Sequence, residues 1–187
     1  ITLIAAIFFS VTEVYIFRPI LLVMFRPFCK EQKDKDMREA RSFKAAHSIH
    51  KVFYFAFAAT WGYVVMKDQE YFPPLLGGTG SFDLACQDKW IKYPQHTAGM
   101  KEYILVTSGF HVAGFVVHFM DSKKNDFVEM ALHHIVALYL FGGLYLFNVW
   151  EAGSVVAFLH DIADIFISLS KSWAETNYSN VTGVFFV

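Results

Sequence analysis

Residues 126–171 read DFVEMALHHIVALYLFGGLYLFNVWEAGSVVAFLHDIADIFISLSK and contain two apolar runs, each long enough to cross a lipid bilayer. The first run carries His133-His134, and the second carries His160-Asp161 followed by Asp164. Ionisable side chains at membrane depth are costly unless they face protein or water, and they commonly mark functional sites. We therefore predict that these residues carry the function and that the rest of the chain positions them.

The composition is that of a membrane protein. Of 187 residues, 55% are hydrophobic, whereas a soluble domain averages about 45–50% apolar residues. The apolar residues lie in long blocks, which is typical of membrane-spanning chains. The formal net charge of −1 gives no basis for nucleic-acid binding. Cys29 and Cys86 lie in different segments without metal-ligand spacing, so neither a disulfide framework nor a cysteine-based zinc site is predicted.

The apolar blocks predict an all-α polytopic membrane protein with about five complete crossings and the start of a sixth. The predicted crossings are residues 1–25, 45–66, 103–120, 127–150 and 151–170, with the sixth beginning at Val181. The chain begins with Ile and ends within an apolar run. We therefore interpret residues 1–187 as a single domain from a longer chain.

The polar segments between these crossings predict the orientation. Segment 26–44 alternates in charge sign and is predicted as a solvated surface helix, whereas segment 67–102 is rich in Pro and Gly and predicts a long loop. Segments 26–44, 121–126 and 171–180 together carry more Lys and Arg than segment 67–102. The positive-inside rule therefore places these three segments on the cytoplasmic side, or on the equivalent face of an organelle.

Polar residues of three predicted crossings lie at similar depth from that inner face. A helix rises about 1.5 Å per residue. The resulting depths are roughly 12–15 Å for His133 and His134, about 15 Å for His111, about 15–16 Å for His160 and Asp161, and about 10 Å for Asp164. The agreement predicts a shared polar cavity.

The spacing of the second polar motif suits acid–base chemistry. Asp164 follows His160 by four residues and Asp161 by three, so one helix face can present all three side chains. A carboxylate bonded to one imidazole nitrogen raises the basicity of the other, which suits a general base or a nucleophile. Two alternatives are a buried hydrogen-bond network and a metal site of two His and two Asp. The metal site is disfavoured because adjacent His133 and His134 point about 100° apart around a helix.

The first two predicted crossings carry further polar residues. Glu13 lies at mid-depth in the first crossing and is predicted to pair with a neighbouring helix. His47 and His50 share one face at the start of the second crossing. We interpret these two histidines as interfacial residues rather than metal ligands.

Two spacings in the third and fourth crossings predict how the helices face one another. His111 and His118 are seven residues apart and therefore lie on roughly one helix face. Gly142-Gly143 lacks side chains and would allow a close approach between helices.

The stretch KKNDFVEMALHHIV, with YLFN and GSVVAFLHDIADIFISLSK after it, resembles the TLC-domain family, and within it the ceramide synthases. The family signature of a basic-basic-x-Asp-Phe segment, a His-His pair and a later His-Asp-x-x-Asp falls on residues 123–127, 133–134 and 160–164. Weaker similarity at Phe53-Tyr54 and in CQDKWIKYP extends the resemblance over most of residues 44–175. The chain differs from the family pattern at Glu151, where Arg is usual, and at residues 47–51, which replace an early Glu-x-x-Trp-Arg segment.

The resemblance implies that the chain folds as a TLC-type bundle or barrel of transmembrane helices. It also implies an enzyme that transfers a fatty acyl group from acyl-CoA to the amine of a sphingoid base. It implies that His133 and His134 are the catalytic pair and that Asp161 and Asp164 are their polar partners. The residues expected to support the site or bind substrate are His111, His160, Asn148, Tyr145 and Asp126. No metal and no permanently bound cofactor are expected, since acyl-CoA is a substrate.

The resemblance leaves the activity open, because the family includes members with no demonstrated synthase role. One alternative is a catalytically silent TLC-fold subunit that holds lipid within a larger membrane complex, for example an organellar or mitochondrial assembly. Another is lipid sensing or transport. The expected partners are membrane lipids, acyl-CoA and a sphingoid base, without nucleic acid, and either a homo-oligomer or a larger complex is compatible with the sequence. The expected location is the endoplasmic reticulum membrane, with the mitochondrial inner membrane as the alternative.

Overall fold

The computed structural model describes residues 1–28, 35–86, 98–120, 127–147 and 149–176, except for the side chains of residues 25, 35–38, 86 and 145. The elements of secondary structure in these residues are helices. They are α1 (Thr2–Thr12), a π-helical turn (Glu13–Phe17), α2 (Arg18–Phe25), α3 (Lys35–Met66), α4 (Met100–Met120), α5 (Phe127–Leu146) and α6 (Trp150–Ala174), with 3-10 turns at Arg26–Phe28, Pro74–Leu76 and Phe82–Cys86. The predicted all-α class is confirmed.

Four helical segments of the described chain are long and apolar enough to cross a membrane. They are Thr2–Met24, Met100–Met120, Phe127–Leu144 and Trp150–Ala174. These segments correspond to the first, third, fourth and fifth predicted crossings. The start of the predicted sixth crossing lies outside the described residues.

The predicted second crossing, residues 45–66, is helical but is not among these four segments. It forms the later part of α3, whose earlier part begins at Lys35 within the alternating charge run. The surface helix predicted for segment 26–44 is therefore continuous with the predicted crossing from Lys35 onward, and residues 29–34 lie outside the described chain. His50 and Lys51 lower the hydropathy at the start of the apolar stretch.

The turn between α5 and α6 is tighter than the sequence predicts. The fourth crossing was predicted to reach Trp150, but α5 ends at Leu146 and Trp150 already begins α6. A Cβ atom on Gly153 would overlap the side chain of Leu144, so glycine allows the start of α6 to lie against the end of α5. The sequence misses this break because residues 147–149 (FNV) contain neither Gly nor Pro.

The described residues fall into two units, residues 1–10 with 58–159 and residues 11–57 with 160–187. In the first unit, α4 packs against α5 and the start of α1 packs against α4. A Cβ atom on Gly109 of α4 would lie 2.6 Å from Ala5 Cβ and 2.7 Å from the carbonyl oxygen of Thr2. Gly109 therefore permits the approach of α1 to α4.

The close approach that Gly142-Gly143 would allow is not used in the described chain. A Cβ atom on Gly142 would meet no described atom within 4 Å, and one on Gly143 would lie 3.8 Å from Phe147 of the following turn. A neighbouring backbone does lie in the path of a side chain at Gly109 of α4.

Residues 67–86, the described start of the polar segment after α3, form a loop with short 3-10 turns, as predicted, and pack within the first unit. Phe72 is fully buried, and its ring lies 5.6 Å from the ring of Phe158 between centroids. Gly77 has a φ of 89°, a left-handed conformation that disfavours other residues. Burial raises the pKa of the neighbouring Tyr71 to about 12, and the Glu151 carboxylate adds to the shift. The loop is thus held by buried aromatic residues.

We predict that Gly109→Ala destabilises the protein by about 1–3 kcal/mol, because the added methyl group overpacks the contact with α1. The matched control is Gly142→Ala, which adds the same methyl group in open space and gains about 0.8–1.0 kcal/mol of helix propensity. Detergent-induced unfolding in bicelles, followed by circular dichroism, measures both effects. Equal stabilities of the two variants would contradict the packing of α1 on Gly109.

Candidate functional site

Three imidazoles of α4 and α5 lie together in the first unit. The ring centroid of His111 is 6.2 Å from those of both His133 and His134, which are themselves 5.4 Å apart. His111 is fully buried, His134 is 4% exposed, and His133 is partly exposed. The structure therefore brings together the predicted histidine pair and the predicted supporting histidine from the neighbouring helix.

A glycine and a second histidine position the ring of His134. A Cβ atom on Gly114 would lie 2.8 Å from Cε1 of His134, so only glycine leaves room for this ring. The ring of His118 lies 6.1 Å from that of His134 between centroids. The predicted common face of His111 and His118 is confirmed, because both rings neighbour His134. Gly114 was missed, although its spacing of three residues from His111 places it on the same face.

His118 connects the end of α4 to the start of α5. Its Nε2–H donates a hydrogen bond of 2.8 Å to the carbonyl oxygen of Phe127. Its ring stacks on the ring of Phe127 with 4.5 Å between centroids. This contact fixes the register of α4 against α5 and therefore the positions of the histidines further along both helices.

The nitrogen atoms of the three clustered histidines lie close enough to act on one atom. One ring nitrogen from each of His111, His133 and His134 lies within 4.8 Å of the other two. Joint binding of one ion by adjacent His133 and His134 was disfavoured from the sequence, yet one nitrogen of each lies within reach of His111. Their Cβ atoms point in different directions, but both side chains reach toward His111 of the neighbouring helix. The cluster can exchange protons, act as a nucleophile or coordinate a metal ion.

In the second unit, α6 presents the predicted histidine and carboxylates. Nδ1 of His160 lies 3.5 Å from Oδ2 of Asp164, as expected for residues four apart on a helix. Asp161 is fully buried and Asp164 is 7% exposed. The predicted placement of His160 and Asp164 on one helix face is confirmed.

The second unit also contains a buried cluster around Glu13. Oε1 of Glu13 lies 3.0 Å from Nη2 of Arg18 and 2.6 Å from Nδ1 of His47, and Oε2 lies 3.9 Å from Nδ1 of His50. The predicted pairing of Glu13 with another helix is confirmed, since both histidines belong to α3. The interfacial interpretation of these histidines is corrected, because they lie against a buried carboxylate and His50 is 4% exposed.

The π-helical turn explains how Arg18 reaches Glu13. In an α-helix, residues five apart point about 140° away from each other. Here the N–H of Arg18 bonds to the carbonyl oxygen of Glu13, which is the hydrogen-bond pattern of a π-helix and brings the two side chains to one face. The guanidinium also lies 4.6 Å from the ring centroid of Phe43. The sequence shows Arg18 but gives no signal for the π turn.

Three predicted supporting residues cannot be placed. Asp126 and Asn148 lie outside the described residues, and the side chain of Tyr145 is also outside them. Their roles stay predictions.

The helical crossings and their buried ionisable groups define an integral membrane protein. The TLC domain family model matches residues 44–187, and the chain therefore belongs to the TLC domain family. This finding confirms the family that the histidine and aspartate motifs indicate.

Curated relatives include ceramide synthases. The chain is 22% identical to ASC1-like protein 3 of Oryza sativa subsp. japonica, over 91% of this chain and 57% of the relative. It is 23% identical to ceramide synthase hyl-1 of Caenorhabditis elegans, over 79% and 38% of the two chains. It is 30% identical to sphingosine N-acyltransferase lac1 of Schizosaccharomyces pombe, over 71% and 32%. The chain thus spans between about a third and somewhat over half of these relatives.

We predict that Glu13→Leu lowers the free energy of unfolding by about 3–5 kcal/mol, because it leaves the Arg18 guanidinium buried without its carboxylate. Adding Arg18→Leu should recover much of this loss, since a buried ion pair replaced by apolar residues is often neutral. A double-mutant cycle of detergent-induced unfolding measures the coupling. Additive effects of the two substitutions would contradict a buried pair.

Proposed function

We propose that this protein is a ceramide synthase-like N-acyltransferase that moves a fatty acyl group from acyl-CoA to the amine of a sphingoid base. The observation that carries the proposal is the buried convergence of His111, His133 and His134 within a TLC domain. The names of the relatives support the substrate classes.

The chemistry requires a base that works near neutral pH. A sphingoid amine carries a proton at that pH and must lose it before it can attack a thioester. Histidine is the side chain whose ordinary pKa suits this transfer. The partly exposed His133 is the member of the pair better placed to contact substrate, whereas Gly114 and His118 hold the buried His134 in place.

Two routes use the same residues. In the first, an imidazole nitrogen accepts the ammonium proton, the amine attacks the thioester carbonyl, and the C–S bond breaks as the C–N bond forms. The amine nitrogen then loses its second proton to the CoA thiolate, and the imidazolium returns the first proton to water. In the second, one imidazole attacks the thioester and becomes acylated as the C–S bond breaks and the CoA thiolate leaves. A second imidazole takes the ammonium proton, the amine attacks the acyl group, the acyl–imidazole bond breaks, and the remaining proton on the nitrogen goes to the thiolate. Both routes end in an amide and free CoA.

The polar residues of α6 fit the same chemistry as supporting groups. We propose that Asp164, whose Oδ2 lies 3.5 Å from Nδ1 of His160, orients this imidazole, and that buried Asp161 stabilises positive charge on it. Asp161 and Asp164 thus stay predicted catalytic residues, and His160 a predicted supporting residue.

The membrane setting suits the proposed substrates. The fatty acyl chain and the sphingoid base are lipids, and an integral membrane protein receives both from the bilayer. The acyl-CoA head group is water-soluble, and we propose that it approaches from the cytoplasmic side. The proposed location is the endoplasmic reticulum, with the mitochondrial inner membrane as the alternative.

We predict that the His133→Ala, His134→Ala double variant lowers ceramide formation from acyl-CoA and a sphingoid base by at least about 10²-fold, the usual contribution of one acid–base residue. The measurement is product formation by purified protein in lipid vesicles. The control is the Leu132→Ala, Ile135→Ala double variant, which shortens two exposed side chains on either side of the pair in α5.

Unchanged turnover in the double variant would remove these histidines from the mechanism. Absence of product from the unaltered protein, together with partner proteins retained after mild detergent extraction, would instead favour the catalytically silent subunit.

We predict that Gly114→Ala lowers turnover by about 10²-fold, because the methyl group displaces the His134 ring and catalysis is sensitive to shifts of about 1 Å. Gly142→Ala is the matched control, since it adds a methyl group where no described atom lies within 4 Å. Kinetics of both variants in vesicles measure the effect. Equal rates for Gly114→Ala and the control would refute a positioned His134.

A further inference from the structure

We propose that His111, His133 and His134 form a binding site for a divalent transition metal ion of the Zn²⁺ class. We further propose that metal bound there blocks acyl transfer, and this second statement rests on the proposed function. The site would make the protein sensitive to zinc through the same atoms that perform its chemistry.

The geometry is close to that of a three-histidine zinc site. One nitrogen from each ring lies within 4.8 Å of the other two. Zinc binds imidazole nitrogen at about 2.0–2.1 Å in a tetrahedral arrangement, which places ligand nitrogens roughly 3.3 Å apart. Closing the cluster around an ion would bring the nitrogens together by up to about 1.5 Å through rotation of the side chains. Three protein ligands leave the fourth position for water, as in open zinc sites.

The donor set selects the class of metal. Three imidazoles suit Zn²⁺, Cu²⁺, Co²⁺ and Ni²⁺, whereas Mg²⁺ and Ca²⁺ prefer oxygen ligands. Two of the three histidines are also buried, because His111 is fully buried and His134 is 4% exposed. Both residues are held by helix packing, and this preorganisation lowers the entropy that metal binding would otherwise cost.

The neighbouring His118 lies close to the three histidines but is not one of the proposed metal ligands. It lies on the same helix as His111 and its ring neighbours His134, but its Nε2–H is bonded to the carbonyl oxygen of Phe127. His118 is not a member of the three-histidine group.

Metal binding and catalysis compete for the same electron pairs. A ring nitrogen that coordinates zinc can neither accept a proton nor attack a thioester. Occupancy of the site should therefore inhibit turnover, and removal of the metal by a chelator should restore it. Mg²⁺ and Ca²⁺ should have no such effect, since the site offers them no oxygen ligands.

The test is a titration of the full chain in lipid nanodiscs with Co²⁺, after removal of any affinity tag. Tetrahedral Co²⁺ gives visible absorption bands, and Zn²⁺ should displace them at one equivalent. We expect His111→Gln and, separately, His134→Gln to weaken binding at least about tenfold, the lower range seen when support of a metal site is lost. The Leu132→Ala variant, altered at an exposed position of α5, should bind as the unaltered chain does.

Circular dichroism and gel filtration identify the variants that keep the fold. The site is tested with two separate glutamine variants so that one can replace the other if either misfolds. The site would be overturned by the absence of a tetrahedral Co²⁺ spectrum, or by His111→Gln and His134→Gln variants that bind Co²⁺ as tightly as the unaltered chain. Binding with the expected dependence, but without ceramide formation by metal-free protein, would support the site and remove the proposed activity. Metal-free activity that saturating Zn²⁺ leaves unchanged would overturn the inhibition.

Discussion

The packing of α4 against α5 is the constraint on which the candidate site depends. Gly114 leaves room for the His134 ring, and the hydrogen bond from His118 to the carbonyl of Phe127 sets the register between the helices. His111 consequently lies beside both members of the His133-His134 pair. A shift of one residue along either helix would rotate these rings away from one another by about 100°.

The second unit contains a buried charge, the Glu13 carboxylate, within its apolar helices. Glu13 is buried, and a carboxylate in that position requires positive or hydrogen-bonding neighbours. The π turn supplies Arg18 from the same chain segment, and α3 supplies His47 at 2.6 Å. The π turn thus brings Arg18 to the Glu13 carboxylate, a contact that a regular α-helix would not allow. The arrangement fits the general observation that π turns mark special positions in helices.

Much of the fold could be predicted from apolar runs, because long hydrophobic helices have a strong sequence signal. The approximate ends of α4 and α6 and the pairings of Glu13 and His160 follow from hydropathy and helical spacing. The break between α5 and α6, the π turn and the role of Gly114 could not be predicted. Each depends on which neighbour a residue contacts, and a glycine pair such as Gly142-Gly143 has the same sequence whether it faces a helix or open space.

The most direct test of this account is the distance between the rings of His111 and His134. Solid-state NMR of the protein labelled with ¹³C and ¹⁵N at histidine, in lipid bilayers, detects through-space correlations between imidazoles, and His→Gln variants assign the signals. The structure places the two ring centroids 6.2 Å apart and predicts a correlation between them. Loss of that correlation, in spectra where the equally close His118–His134 pair is still seen, would contradict the convergence of histidines on which the proposed function depends.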